Sequence, residues 1–289
     1  MSYAFRDAQG HWRNGWKVLA FALVLALFEA PLVFALHALP AAVREFVPKI
    51  AVLVCGMVLA TAVCLKAEGE ALSSVGVRLN ARFARQLAAG AVIGIALLLA
   101  AAVMVWLCGG FRFVGETRET HLLKGAAIEL GIGVLEELAY RGYAFQRAIR
   151  GLGFRTAQIA FAVLFVASHP LDAGMSVPAM GFAMLNVFTF AIAIGMLYVR
   201  TGSLAIPIGV HAGWNWAQQS LGFGVSGINS QGWLSPVYMG LPDWVTGGAF
   251  GLEASGLTFV LLLAATVSAM RWTPSVIADD ESPAGSLRP

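Results

Sequence analysis

Glu136, Glu137 and Arg141 fall within one apolar block, Phe165 and His169 at the end of the next, and His211 and Asn215 inside a later one. Charged and titratable groups are costly in such surroundings, so each is a functional candidate until a partner is found for it. As a set they offer carboxylates and imidazoles that can take or give a proton, and a carboxamide that can donate a hydrogen bond. That inventory suits a general base with hydrogen-bond donors, a proton relay, or a metal ligand set.

Helical spacing sorts their roles. Glu137 and Arg141 are four apart and can form an ion pair, whereas Glu136 points about 100° away and is the freer carboxylate. His211 and Asn215 share one face, as do Phe165 and His169. Measured at 1.5 Å per residue from the basic ends marked by Arg147, Arg155 and Arg200, Glu136 is expected about 16 Å deep, His169 about 21 Å and His211 about 16 Å. The three can meet within a bilayer.

The elements that must position these groups are hydrophobic. Of 289 residues 58% are apolar and only 12% charged, about half the charge of a soluble domain. The mean hydropathy is +0.75, and apolar blocks run over 18–39, 47–65, 83–107, 124–146, 156–169, 182–198, 204–221 and 249–270. Helices of that length cross about 30 Å of hydrocarbon, so the expected fold is an all-α polytopic membrane bundle of about eight helices. A net charge of +3, scattered between blocks, argues against a nucleic-acid partner. The lipid bilayer is the expected surrounding.

Basic residues alternate between connections: Lys66, Arg78, Arg82 and Arg85, then Arg147, Arg150 and Arg155, then Arg200 and Arg271. By the positive-inside rule these sides and both termini are cytoplasmic, although Arg112, Arg118 and Lys124 weaken the pattern. The first block is too long for a signal-peptide core and is expected to stay as a span. The chain divides into a segment 1–17 with interfacial aromatics including Tyr3, three helices in 18–123, a bundle in 124–272 holding all three clusters, and a polar tail 273–289 expected to be disordered.

Two GxxxG patterns, Gly90–Gly94 and Gly209–Gly213, permit close helix approach, the second bracketing His211. Cys55, Cys64 and Cys108 lack metal or disulfide spacing and read as packing residues. Glu29, two residues before Pro31, is expected to meet a freed backbone group or water. Glu129 is seven residues from Glu136 and lines a water path or, preferentially, sits at an interface. Glu253 is expected to favour the dipole of the last helix, Tyr140 to serve packing or act as an interfacial donor, and Trp214 and Trp216 to serve shape and packing.

The order EExxxR, FxxxH and HxxxN on successive helices resembles the CAAX protease and bacteriocin-processing family of intramembrane endopeptidases. The resemblance spans roughly 124–270, and 246–253 (TGGAFGLE) is also similar to a stretch found in bacterial members. It implies that Glu136 activates a water, that His169 shares it, and that His211 and Asn215 hydrogen-bond the oxyanion, with Glu137 and Arg141 holding the site. Desolvation raises a carboxylate pKa toward the range amide hydrolysis needs, and each oxyanion donor contributes about 3 kcal/mol.

No cofactor is required on that reading; alternatively Glu136, His169 and His211 ligate zinc, although the chain lacks HExxH. The implied substrate is a peptide or membrane protein, and the alanine-rich composition with short loops suits a bacterial cytoplasmic membrane. A non-proteolytic scaffold or immunity-type protein of the same family, and a proton-coupled transporter, are the rival readings. No inverted repeat supports the transporter.

Overall fold

The computed structural model describes residues 5–6, 9–40, 48–115, 122–169, 174–228 and 232–272. Tyr3, Arg118 and the tail 273–289 lie outside the described residues. Among those described, nine helices of ten residues or more form an all-α bundle: α1 (Asn14–Ala38), α2 (Lys49–Ala67), α3 (Ala81–Leu107), α4 (Leu122–Arg141), α5 (Tyr143–Leu152), α6 (Phe154–Ala167), α7 (Val177–Thr201), α8 (Ala205–Ser220) and α9 (Gly256–Arg271). A short antiparallel ribbon pairs β1 (Phe111–Gly115) with β2 (Leu234–Tyr238), Phe111 opposite Tyr238.

Length and apolarity alone fit α1, α2, α3 and α7 to a membrane crossing. α6 and α9 are apolar but shorter. Two expected boundaries move. The block 124–146 breaks after Arg141, where the backbone turns at Gly142 (ψ −134°) and restarts as α5. Glu136 therefore lies only about 8 Å from the end of its helix, at 1.5 Å per residue, rather than about 16 Å from Arg147. The last block begins at Gly256, not 249, because Gly247, Gly248 and Gly251 hold φ of 87°, 53° and 102°, a backbone that no helix accommodates. Ser255 then starts α9 by accepting the Leu257 amide at 3.2 Å.

α3 and α8 form the most extensive helix pair, and their two GxxxG patterns face each other. A methyl group on Gly94 would lie 2.8 Å from the Trp214 amide nitrogen, and one on Gly213 2.8 Å from the Ala91 Cα. Without side chains between them the backbones touch, which is how helices gain dispersion energy where lipid removes the hydrophobic drive. α8 is backed on another side by α4, where a methyl on Gly133 would stand 3.1 Å from the Ile208 carbonyl. The helix carrying His211 is thus fixed from two directions.

α5 is buried through an ionic cluster at the basic end. Arg147, expected as an exposed topology signal, has 0% side-chain exposure and pairs with Glu68 and Glu70 at 3.1 Å each. Its Cζ lies 4.5 Å from the Tyr143 ring centre. Glu68 also binds Lys17 at 2.6 Å and the Tyr143 hydroxyl. Gln146 donates to the Tyr198 hydroxyl at 2.6 Å and the Ser74 carbonyl at 2.7 Å. The loop after α2 supplies the carboxylates, so α1, α2 and α5 are joined by charge as well as by the apolar cluster around Leu65, Val75 and Phe145. Glu29 lies against Gly56 of α2. Of the three cysteines only Cys64 is buried.

Candidate active site

The last turns of α4 present two carboxylates in different directions. Glu137 is fully buried; its Oε1 accepts Arg141 Nη1 at 3.2 Å and His211 Nδ1 at 2.8 Å. This is the expected four-residue ion pair, with a third member from α8. Arg141 also donates to the Ala191 carbonyl of α7 at 3.2 Å, and its Cζ lies 4.8 Å from the Phe165 ring centre. Phe165, 1% exposed, thus separates the guanidinium from the rest of the site while its own carbonyl holds His169.

Glu136 is the freer carboxylate, with 28% side-chain exposure, and its Oε2 lies 3.7 Å from His211 Nε2. His211 therefore stands between two carboxylates, one facing each ring nitrogen. A carboxylate only accepts, so Nδ1 carries a proton toward Glu137 and Nε2 faces Glu136. His169, in the turn after α6, places Nδ1 at 2.7 Å from the Phe165 carbonyl. A carbonyl likewise accepts only, so Nδ1 carries a proton, and in the neutral ring Nε2 holds the lone pair.

Glu136, His169, His211 and Asn215 line one cavity of about 170 Å³. The four expected reacting groups come together, with Glu137 and Arg141 behind them. Among the described residues no group of three His, Cys, Asp or Glu side chains is placed to hold a metal ion. Both histidines bond through Nδ1, His211 to the Glu137 carboxylate and His169 to the Phe165 carbonyl, which leaves each Nε2 as the nitrogen open to a reacting group.

Several residues take places the sequence reading did not give them. Glu129 is 5% exposed rather than interfacial, and its side chain engages Asn215. Glu253 does not serve the dipole of α9; its carboxylate accepts the Trp214 indole N–H at 3.2 Å and the Ser226 amide at 2.7 Å, at the cavity. Trp214 is thus more than packing. Asn186 of α7 also lines the cavity and donates to the Glu253 and Ser255 carbonyls at 2.8 and 2.9 Å. A polar Asn within an apolar block was the available signal for it. Tyr140 packs edge-on against Phe165, ring centres 5.0 Å apart.

This is a helical membrane bundle whose Glu136, His169, His211 and Asn215 side chains share one cavity. Residues 118–217 match the family model described as type II CAAX prenyl endopeptidase Rce1-like, within the CAAX protease and bacteriocin-processing family that the three motifs resemble. The matched segment contains all six site residues and ends before the 246–253 stretch. No curated protein matches the chain.

Proposed function

We propose that the protein is an intramembrane endopeptidase in which Glu136 activates the attacking water, His169 assists, and His211 and Asn215 bind the oxyanion. The observation that carries this reading is the meeting of all four side chains in one cavity, with Glu137 setting the orientation of His211. The basic end of the bundle faces the cytoplasm on this reading, and the substrate is a peptide or membrane protein.

The chemistry follows from the protons. A water between Glu136 and His169 Nε2 gives up a proton as its oxygen attacks the scissile carbonyl. His211, oriented through Nδ1 by the Glu137 carboxylate, donates in its protonated form from Nε2 to the carbonyl oxygen as it becomes an oxyanion, and the Asn215 amide donates a second bond. The proton gathered by Glu136 passes to the leaving nitrogen as the C–N bond breaks. No step needs a nucleophilic side chain or a metal ion.

The test compares new protein termini in membranes carrying the wild-type chain or Glu136→Ala at equal expression. Termini that require Glu136 establish proteolysis and name the substrate. The proposal is falsified if Glu136→Ala yields the same termini; if no termini appear and both chains support the same phenotype, the protein acts as a scaffold.

A further inference from the structure

Beyond the family-matched segment, a hairpin after α8 reaches the cavity, along with Glu253 and with Leu262 of α9. Val225 and Ile228 exchange backbone hydrogen bonds of 3.0 and 2.9 Å, closing a hairpin turn on Ser226 and Gly227. Both central residues have positive φ, 47° and 80°, as a type I′ turn requires, and serine is not among the residues that favour it. Ser226 is the one non-glycine residue at positive φ among the described residues, so its conformation needs an external hold.

Glu253 supplies that hold. One carboxylate oxygen accepts both the Ser226 amide at 2.7 Å and its hydroxyl at 3.0 Å. The Gly227 amide meets the Phe250 carbonyl at 3.1 Å. The other carboxylate oxygen takes Trp214, the neighbour of Asn215, and the Glu253 backbone carbonyl takes Asn186. A single residue thus ties the hairpin to α7 and α8. Val225, Ser226 and Ile228 line the same cavity as Glu136 and His211, and Ile228 stands 69% exposed.

We infer that this hairpin is the wall that selects the apolar side chain flanking the scissile bond, and that Glu253 is the residue that positions it. The selection rests on the endopeptidase reading; the positioning does not. Val225 and Ile228 share the cavity with the reacting groups, so a substrate side chain next to the scissile carbonyl packs against two aliphatic residues. Their placement depends on a turn that a charge-assisted bond holds in a disfavoured conformation.

Two measurements on the full chain in membranes test this. In the first, Val225→Cys is introduced with Cys55→Ala and Cys64→Ala, keeping exposed Cys108 as an internal reference, and reaction with a water-soluble maleimide is timed. Adding Glu253→Gln is expected to speed labelling at position 225 at least about tenfold, by releasing the hairpin, with Cys108 unchanged. An unchanged rate at 225 overturns the positioning role.

In the second, the residues flanking Glu136-dependent cuts are compared between wild type, Ile228→Ala and Glu253→Gln. Ile228→Ala is expected to shift them at least about threefold toward larger apolar side chains, and Glu253→Gln to broaden them. An unaltered distribution in Ile228→Ala, whose exposed side chain makes misfolding an inadequate explanation, overturns the selection. Absence of any Glu136-dependent terminus in wild type removes the endopeptidase reading and the selection together, and the labelling rate then decides the positioning role alone.

Discussion

Replacing Arg141 by Met keeps the length of the side chain and removes its charge, leaving the Glu137 carboxylate, with 0% exposure, only His211 Nδ1 as a partner. The guanidinium makes two buried hydrogen bonds, to Glu137 at 3.2 Å and to the Ala191 carbonyl at 3.2 Å, and it sits against the Phe165 ring. Breaking a buried pair from one side costs about 3–5 kcal/mol, most of it the cost of the stranded charge. The double variant Arg141→Met with Glu137→Gln removes that charge and is expected to recover at least half of the loss. Activity is expected to part from stability. With Gln at 137 the His211 Nδ1 proton still has an acceptor but no anion, so the imidazolium is no longer held and turnover stays down by about 100-fold. Equilibrium unfolding of the detergent-solubilised protein, alongside a count of Glu136-dependent termini, measures both. A loss under about 1 kcal/mol in Arg141→Met, or full turnover in the double variant, refutes the reasoning.

Gly94→Ala forces the α3 and α8 backbones apart by more than about 0.6 Å, the gap between an ordinary 3.4 Å contact and the 2.8 Å available at the Trp214 nitrogen, because the Val210 carbonyl oxygen lies nearer still. Because α8 is backed by α4, α3 is expected to yield, costing about 1–3 kcal/mol of stability while turnover per folded molecule stays near wild type. Unfolding and activity assays on the same preparation check this, and a collapse of turnover without loss of stability contradicts it. Burial pushes Glu68 and Glu70 up, but hydrogen bonds from Lys17 and Tyr143 to Glu68 and from Ser74 to Glu70, with the charge of Arg147, outweigh it and hold both below the usual carboxylate value of 4.5. A depressed native pKa contributes stability above the unfolded value and loses it as pH falls through the native one, so unfolding free energy is expected to drop below about pH 4.5. Arg147→Met is expected to flatten that acid limb, read from unfolding curves across pH. Treatment with a strong zinc chelator is expected to leave the Glu136-dependent termini unchanged, and a loss restored by zinc contradicts the metal-free reading.

What the sequence made legible was what local geometry determines. The Glu137–Arg141 pair follows from a four-residue helical spacing and is found as read. Divergence of Glu136 from Glu137 follows from the same rule, and convergence of the three motif helices from the resemblance. The break at Gly142 was hidden because apolar residues continue on both sides of it, so hydropathy saw one block where the backbone turns. Arg147 read as a topology signal because a basic residue between blocks has that meaning by default. Its burial depends on Glu68 and Glu70 from a loop of another helix pair, a long-range fact with no periodicity to announce it.

The same distinction explains why the family-model match ends where the cavity does not. Residues 118–217 carry the side chains proposed to react, on helices or, for His169, in the turn just after one, where spacing and motif coincide. The remaining wall comes from a hairpin after α8 and a glycine-rich turn before α9, joined by Glu253 across elements that no spacing rule relates. A site built this way separates two tasks. Helices α4 and α8, locked by backbone contact at Gly133 and against α3 at Gly94 and Gly213, keep the reacting groups in register. The hairpin, held by one carboxylate, can change its side chains without disturbing them. The reaction is therefore expected to tolerate substitutions at Val225 and Ile228 that alter which peptide is cut, while even one added methyl between α4 and α8 acts on the chemistry itself.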